Sequence, residues 1–517
     1  MQKRFDYFLE IGQFPLIILF CASIMLGTGN LLVNSELAVF WDVSSNLIIQ
    51  ASILLKALGS FIISLFPLLL LVFILSKKYD DSHAGMIGLA SYATLLVTTM
   101  IFASEKLNPV AYNSVLGLSI NNVDYPSLAT AIRNPLHLGL LATFVCYRIV
   151  KHCYLKTRNR RSYGAFSFID KNVLSLLYAI FYSLILGLII SFIWPYIINF
   201  LFIIFDFIAD DITNPFNLFL YGALEKLFGV ANMISIPRNV FWFSEYGGSW
   251  LDSLGRKYVG DVAIWTAQNA SSMVTGGIGR FITPLYVIQI FAIPGYILAL
   301  FTIYTNRFEK RKYVLFAIIA MIVSMFMGNS FPFDLFMFAT TPLLFFLHVF
   351  ASGVIYAFLQ WLKLYIGYSF SGNISLAAAG SLADLFVYFR STSMMASIQN
   401  LFIVGLVVFV IYFLMTRIYY KYLALDMFQS GLQRGIVVTL IDGLGGVDNI
   451  KIIDSNPFKL LIQVHDESKV NIAILRALCN SKVFESKTGY VLYFYKASYT
   501  IYADVMAEIK AYKQQVS

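Results

Sequence analysis

Several residues whose side chains could contact a polar ligand interrupt an otherwise apolar stretch at residues 327–350. The interrupting residues are polar or disfavour a helix, namely Asn329, Ser330, Pro332 and Asp334. Backbone that leaves a helix at bilayer depth is tolerated only where protein covers it or a wet cavity hydrates it. An ionisable group such as Asp334 is costly there, so we expect it to face a cavity. We interpret this stretch as the floor of a substrate pocket. A short extramembrane loop between two spans is the alternative.

A second group of polar candidates lies in residues 221–275, where charged residues alternate with tryptophans. Glu225 and Arg238 could line a pocket, but a helix face at the membrane interface explains them as well. Arg280 follows a glycine-rich run at residues 272–279 and could reach a polar ligand. It could equally extend along the membrane interface with its charged end in water. The glycines permit either close approach of the backbone to a ligand or a tight turn into the next span.

Histidine and cysteine supply few further candidates. His348 lies on an apolar helix, and we interpret it as a core histidine with hydrogen-bond partners, a catalytic role being the alternative. The four cysteines have no paired spacing and no metal-binding pattern. We therefore expect structural thiols, no metal site and no cofactor.

The composition indicates a membrane protein. Of the 517 residues, 59% are hydrophobic and 13% are charged. A soluble domain carries about 25% charged residues. The net charge of +9 is concentrated in short clusters beside apolar runs. That pattern reflects membrane topology, so nucleic acid is not an expected partner.

Apolar runs of about twenty residues can cross a bilayer. We count roughly ten such helices by this criterion, and the lipid bilayer is therefore a partner. Basic clusters at Lys77-Lys78, residues 151–161 and Arg417 are expected to be cytoplasmic by the positive-inside rule. Both termini then lie in the cytoplasm. The cluster at 151–161 is interpreted as a topology signal, with docking of the C-terminal domain as the alternative.

The last ninety or so residues have the pattern of a small soluble domain. We predict a membrane domain over residues 1–425 and a cytoplasmic α/β domain over residues 426–517. Glycines and a turn cluster separate short periodic segments there. The predicted elements are helices over 433–444, 470–478 and 499–513, strands over 450–453 and 459–465, and a hairpin around Thr488-Gly489.

Taken in order, four stretches of the chain resemble a known family. They are residues 55–95, residues 273–295, FMFATTPLLFFLHVFASG at 336–353 and LGGVDNIKIIDSNPFKLLIQVHD at 444–466. Together they extend over nearly the full length, and the last two are quite specific. The chain resembles the fused IIC–IIB permeases of the sugar phosphotransferase system, in the glucose/N-acetylglucosamine/maltose group.

The resemblance implies a homodimeric permease in the bacterial cytoplasmic membrane that binds a sugar in its IIC domain. In that family the IIB domain carries phosphate on a cysteine and transfers it to the sugar during import. Such a cysteine needs a low pKa, which nearby positive groups or backbone N–H donors supply. A carboxylate and an imidazole of the permease would hydrogen-bond the sugar and assist proton removal.

The chain departs from the family at its reactive positions. The phosphorylated cysteine falls on Asn456, whose amide cannot carry phosphate, and the nearby threonine falls on Phe458. Only Lys459 keeps a positive charge there. Cys479 lies at the end of a predicted helix elsewhere in the domain. We therefore assign no catalytic residue.

The permease motif has changed too. Its sugar-binding glutamate falls on Ser330 or Phe331, which leaves Asp334 as the nearest carboxylate. The paired histidines are replaced by Ala231-Asn232, and Asn232 could still hydrogen-bond a hydroxyl. The predicted substrate-binding residues are Asn232, Arg280, Asn329, Ser330 and Asp334.

Two functions fit these patterns. The first is a sugar permease that cannot phosphorylate its substrate through its own IIB-like domain, so that a IIA protein or a separate IIB protein would be a partner. The second is a non-enzymatic membrane sensor or regulator that keeps the permease fold.

Overall fold

A computed structural model of the chain divides into two compact units. The structure describes residues 2–33, 42, 44–102, 120–121, 132–133, 136, 138–158, 170–270, 277–303, 307–368, 379–389, 392–422, 430–455, 459–479, 483–486, 489–494, 501–502, 505–506, 508–509 and 512. The first unit contains residues 3–302 and 312–419, and the second contains residues 420–517 together with residues 2 and 303–311. The predicted domain boundary at 425/426 stays a prediction.

The first unit is helical. Its α-helices, in chain order, are α1 Gln2–Leu32, α2 Asn46–Tyr79, α3 Ser82–Phe102, α4 Gly139–Thr157, α5 Lys171–Asp210, α6 Pro215–Val230, α7 Ser235–Phe243, α8 Asp261–Ala270, α9 Thr283–Val287, α10 Ile293–Ile303, α11 Arg307–Met325, α12 Phe331–Thr340, α13 Pro342–Trp361, α14 Leu382–Phe386 and α15 Thr392–Tyr422. Two short antiparallel ribbons accompany them, β1 Ile120–Asn121 with β2 Ile132–Arg133, and β3 Ser249–Leu251 with β4 Lys257–Val259.

Seven helices of the described chain are long and apolar enough to cross a membrane. They cover Phe14–Leu32, Asn46–Tyr79, Ser82–Phe102, Lys171–Asp210, Thr283–Thr302, Pro342–Trp361 and Met394–Tyr420. The chain is therefore a membrane-embedded helical protein with a small C-terminal sheet, as the composition predicted. The larger number of about ten spans stays a prediction.

Small residues bring the long helices close together. A Cβ added at Gly222 of α6 would lie 2.3 Å from the Tyr356 ring on α13, and one at Gly353 of α13 would lie 2.7 Å from the Phe219 backbone oxygen on α6. Between α3 and α5, the Ser91 and Ser183 hydroxyls share a hydrogen bond of 2.6 Å. Small side chains and interhelical hydrogen bonds of this kind stabilise helix pairs in lipid, where apolar burial gives no preference for protein neighbours.

The chain leaves the helix between α11 and α12. Helix α11 ends at Met325, and α12 begins at Phe331 with Pro332 in its first turn. Gly328 adopts a φ of +65°, in the left-handed region that favours glycine. The Asn329 side chain accepts a hydrogen bond from the Phe331 N–H and so satisfies one of the unpaired donors of α12. This interruption places Asn329, Ser330 and Asp334 inside the helical unit.

A second irregularity lies between α9 and α10, where Ile288–Ala292 form a π-helical turn. The polypeptide enters this span through Gly279, whose φ of +96° and close approach to the Ile366–Gly367 backbone exclude a side chain. The buried Asp261 carboxylate accepts hydrogen bonds from the Gly279 and Phe281 N–H groups. In the described part of the glycine-rich run, Gly279 therefore makes a turn packed on protein backbone. Residues 271–276 of that run lie outside the described residues.

The second unit contains a four-stranded antiparallel sheet of order β5-β6-β8-β7. Its elements are α16 Ser430–Gly443, β5 Ile450–Ser455, β6 Leu460–Val464, α17 Ile472–Leu478, β7 Val483–Ser486 and β8 Gly489–Leu492. Leu440 and Leu475 from the helices pack with Leu460 and Leu492 from the sheet in one core. The predicted strands, the helix ending near Gly445-Gly446 and the hairpin agree with this unit. Every strand pairing among the described residues of this unit is antiparallel, so this part of the chain does not show the parallel strands of an alternating α/β domain.

Candidate functional site

The interruption between α11 and α12 borders a cavity of about 50 Å³. Its polar lining combines amide, hydroxyl, carboxylate and guanidinium side chains, namely Asn232, Arg238, Gln289, Asn329, Ser330 and Asp334. Leu26, Ile63 and Phe331 supply apolar parts of the wall. Four of the five predicted binding residues therefore border one cavity. Their role in binding stays a prediction.

Asp334 is the centre of a buried cluster. Its carboxylate lies 3.4 Å from the Lys226 ammonium of α6 and accepts a hydrogen bond of 2.9 Å from the Ser330 hydroxyl. The Lys226 ammonium also donates to Ser330, at 2.9 Å. The side chains of Lys226 and Asp334 are only 2% and 1% exposed. Each charge is thus compensated by the other within a low-dielectric interior, where an unpaired charge would be strongly destabilising.

The other carboxylate oxygen of Asp334 extends the cluster to two further helices. It lies 3.1 Å from Nε2 of His348 on α13, and Nδ1 of His348 lies 2.8 Å from the Tyr412 hydroxyl on α15. All three side chains are buried. Both ring nitrogens of His348 are therefore satisfied, and the arrangement fixes the carboxylate against the cavity. This geometry meets the expectation of a hydrogen-bonded core histidine.

The two asparagines of the cavity wall are held by backbone and side-chain contacts. Asn329 donates to the Ser23 hydroxyl at 2.8 Å. Asn232 donates to the Ile63 carbonyl at 3.1 Å and adopts a φ of +58°, a left-handed conformation that asparagine tolerates better than most residues. Both side chains are oriented by these bonds at the cavity wall.

Glu225, the neighbour of Lys226 on α6, belongs to a separate buried ion pair. Its Oε1 accepts a hydrogen bond of 2.8 Å from Nε of Arg238 and lies 2.8 Å from Nη2 of the same guanidinium, and its Oε2 accepts a hydrogen bond from the Tyr356 hydroxyl. The Arg238 guanidinium also lies 4.7 Å from the centre of the Trp242 ring. Hydrogen bonds between oppositely charged groups are stronger than those between neutral groups. Glu225 and Arg238 are therefore interior groups, whereas Glu245, Arg256 and Lys257 of the same segment are exposed. The pocket interpretation of residues 221–275 stays a prediction.

Arg280 does not border the cavity. Its guanidinium donates to the Gly277 and Ile212 carbonyls, the latter at 2.8 Å, and lies 5.6 Å from the centre of the Tyr365 ring. At 9% exposure it is neither extended into water nor directed at the other four predicted residues. It pairs with backbone carbonyls because the turn at Gly277–Gly279 and the end of α5 leave those oxygens without helical partners.

The C-terminal unit offers no ionised thiol in its described part. Asn456 lies outside the described residues, after strand β5. Cys479 is 4% exposed, and burial raises the pKa of its thiol to about 12. A neutral thiol is a poor nucleophile, so Cys479 is not poised to accept phosphate.

Sequence reasoning missed three residues of the site, Lys226, Gln289 and Tyr412. Lys226 could have been found, because adjacent acidic and basic residues in the apolar helix α6 indicate buried pairing. Gln289 and Tyr412 are single polar residues in apolar spans, and only the fold shows which face they occupy. No protein-family model matches this chain.

Proposed function

We propose that this protein is a sugar permease of the phosphotransferase IIC–IIB type that binds, and imports, a sugar without phosphorylating it through its own C-terminal domain. The observation that carries the proposal is the convergence of Asn232, Asn329, Ser330 and Asp334 on one cavity inside the membrane-embedded unit. Amides, a hydroxyl and a carboxylate together present the donors and acceptors that sugar hydroxyls require.

The charges around the cavity favour an uncharged ligand. Among the charged residues of the cavity wall, Asp334 is paired with Lys226 and Arg238 is paired with Glu225. The described wall therefore has no net charge to balance an ionic substrate. A neutral, polyhydroxylated molecule fits this environment better than an anion or a cation.

A sugar has to widen the cavity. A volume of about 50 Å³ holds only a few water molecules, whereas ligand pockets usually measure about 300–1,000 Å³. We propose that this conformation is closed and that the interruption at residues 326–330, which contains Gly328, moves when the sugar enters. Movement at such an interruption is typical of transporters whose broken helices form the binding site.

The wider proposal follows the family resemblance. It places about ten helices in a bacterial cytoplasmic membrane, with both termini in the cytoplasm and two copies forming a homodimer. Phosphate for the sugar would have to come from a IIA protein or a separate IIB protein, because Asn456 stands where the family has the phosphorylated cysteine. The neutral, buried Cys479 thiol favours a second candidate function, a sugar sensor without transfer chemistry.

The test is thermal stabilisation of the full-length protein in detergent by D-glucose, N-acetyl-D-glucosamine and maltose. A ligand that binds only the native state stabilises it by about 2.7 kcal/mol at a hundredfold excess over Kd. We expect one sugar to raise the melting temperature, and Asp334→Asn to abolish that shift. Asp252→Asn, in the turn between β3 and β4, is the matched control and should keep it.

No shift with any of these sugars would contradict the proposal and favour a scaffold that no longer binds sugar. A shift that persists in Asp334→Asn would place the binding site elsewhere. To separate a permease from a sensor, entry of the bound sugar into proteoliposomes is measured, since only a permease carries it across the bilayer.

A further inference from the structure

Gln289 differs from the other polar residues of the cavity wall. Its side chain is 1% exposed and borders the cavity, yet its Oε1 has no hydrogen-bond partner among the described residues. Buried side-chain oxygens are satisfied in the large majority of cases. An orphaned acceptor at a cavity wall therefore indicates a partner that enters the cavity.

The backbone around Gln289 is specialised as well. The residue lies in the π-helical turn Ile288–Ala292, in the middle of an otherwise α-helical span. Its own carbonyl accepts a hydrogen bond of 2.6 Å from the Ser324 hydroxyl of α11. Single π-turns inside α-helices are rare and frequently lie at functional sites. The Ser324 contact fixes the backbone that carries the Gln289 side chain.

The rest of the wall limits the chemistry of the partner. Arg238 and Asp334 both border the cavity and each is paired with an opposite charge, which disfavours a charged partner. A hydroxyl both donates and accepts, so it satisfies the carboxamide in whichever orientation the amide adopts. Asn232 and Asn329 already use their side-chain amides to hold the Ile63 carbonyl and Ser23. Among the amides of this wall, Gln289 is the one whose oxygen is both buried and without a partner among the described residues.

We propose that Gln289 is a specificity-determining residue that recognises one hydroxyl of the bound molecule through its side-chain amide. This inference rests on the proposed function, because it takes the ligand to be a sugar. A site that pairs a buried polar group with a substrate hydroxyl discriminates strongly against the analogue that lacks this hydroxyl. The analogue leaves the buried oxygen without a partner again.

The experiment measures binding of the sugar that stabilises the protein, and of its monodeoxy derivatives, by isothermal titration calorimetry. In the wild type, we expect the removal of one particular hydroxyl to weaken binding roughly 10- to 100-fold, which corresponds to about 1.4–2.8 kcal/mol. Gln289→Met has a similar volume without the amide. It should weaken binding of the parent sugar by the same factor and leave binding of that deoxy derivative unchanged. Gln289→Leu should give the same pattern.

Gln360→Met is the matched control. Gln360 is also buried, and its Oε1 likewise has no hydrogen-bond partner among the described residues, but its amide N–H donates to the Thr213 carbonyl and the residue does not border the cavity. This variant should keep the full discrimination between the parent sugar and its deoxy derivatives. The unliganded Gln289→Met protein should melt no lower than the wild type, because the substitution removes an unpaired oxygen.

The outcomes separate the two proposals. If the sugar binds and Gln289→Met still rejects every deoxy derivative as the wild type does, the inference about Gln289 is overturned while the proposed function stands. Equal weakening of all the sugars would also overturn it, since that pattern indicates a structural role. If none of the sugars binds the wild type, the proposed function fails, and the inference fails with it.

Discussion

The two units of this protein differ in whether their interiors contain charged side chains. In the membrane-embedded unit, the buried positions include an aspartate that contacts a lysine and a histidine and, separately, a glutamate–arginine pair. In the C-terminal unit, the buried core is almost entirely apolar, and its ion pairs lie at the surface. Burying charge in an apolar interior is unfavourable unless the charges are paired. The first unit therefore retains a polar arrangement with a high energetic cost, which indicates function, whereas the second has the interior of a stable small fold.

The two units should differ most in the loss of stability that follows when one member of an ion pair is removed, because the pair is buried in the first unit and exposed in the second. Asp334→Leu leaves Lys226 buried without its carboxylate and should lower the free energy of unfolding by about 3–5 kcal/mol. Glu485→Gln, which removes an exposed pair with Arg476, should change it by less than about 1 kcal/mol. Denaturant titration of the full-length protein in detergent measures both values.

The double variant Asp334→Leu/Lys226→Met is the control for this comparison. Replacing both charges by apolar groups should recover most of the loss, because neither partner is then left buried alone. A single Asp334→Leu variant as stable as the wild type would show that the cluster is hydrated or unpaired, and would remove the contrast between the units.

The next prediction concerns the thiol of the C-terminal unit. Because the pKa of Cys479 is raised to about 12, its ionised fraction at pH 8 is about a thousandfold below that of a free cysteine, whose pKa is about 8.5. Alkylation should therefore be roughly 10³-fold slower than in the denatured chain and should accelerate about tenfold per pH unit from pH 8 to 11. Mass spectrometry of the peptide that contains Cys479 follows the reaction. If Cys479 of the native protein is alkylated at the rate of a free thiol, its pKa is not raised, and it is again a candidate nucleophile.

Two glycines of helix α6 provide a smaller and matched comparison. In Gly222→Ala the new methyl would lie 2.3 Å from the Tyr356 ring, so overpacking should cost about 1–3 kcal/mol. In Gly229→Ala the nearest atoms are Ile234 Cδ1 at 3.5 Å and Asp334 Oδ2 at 3.8 Å, because the cavity lies there. That variant should be about 0.5–1 kcal/mol more stable, since alanine favours the helix. If Gly222→Ala and Gly229→Ala destabilise the protein equally, the space beside Gly229 is occupied by protein atoms and not by a cavity.

The smallest effect is expected at the beginning of helix α17. The Asn471 side chain accepts hydrogen bonds from the Ala473 and Ile474 N–H groups and caps this helix. Asn471→Ala should destabilise the C-terminal unit by about 1 kcal/mol, and Asn471→Asp should retain most of the cap. Hydrogen exchange of the amides in α17 reports the change. Protection that is unaffected by Asn471→Ala would show that the helix is held by packing alone.

Much of the fold could be predicted from local patterns. Continuous apolar runs showed the membrane-embedded helices, and the glycines at 445–446 and 489 marked the end of α16 and the β7–β8 hairpin. These signals are local, because hydrophobic periodicity and positive φ depend on few neighbours. The interruption around Asn329 and Asp334 could be identified for the same reason, since polar residues stand out in an apolar run.

The composition of the site could be predicted only in part. Asn232 lies almost a hundred residues before Asn329, and their meeting at one cavity depends on how α6 and α12 pack. Arg280 was assigned to the pocket because it is charged and follows glycines, but the turn at Gly277–Gly279 directs it to backbone carbonyls instead. Gln289 was missed because an isolated amide gives no periodic signal, and its position depends on a π-turn that the sequence does not indicate.

The most direct measurement of the central claim is calorimetric titration of the full-length protein with the sugar that stabilises it, in the wild type and in Gly229→Ala. The added methyl enters the cavity beside Asp334 without disturbing the helix, so we expect the affinity to fall by about tenfold or more, or about 1.4 kcal/mol, while the unliganded protein becomes no less stable. Equal affinity in both proteins would show that the sugar does not bind in this cavity and would contradict the account.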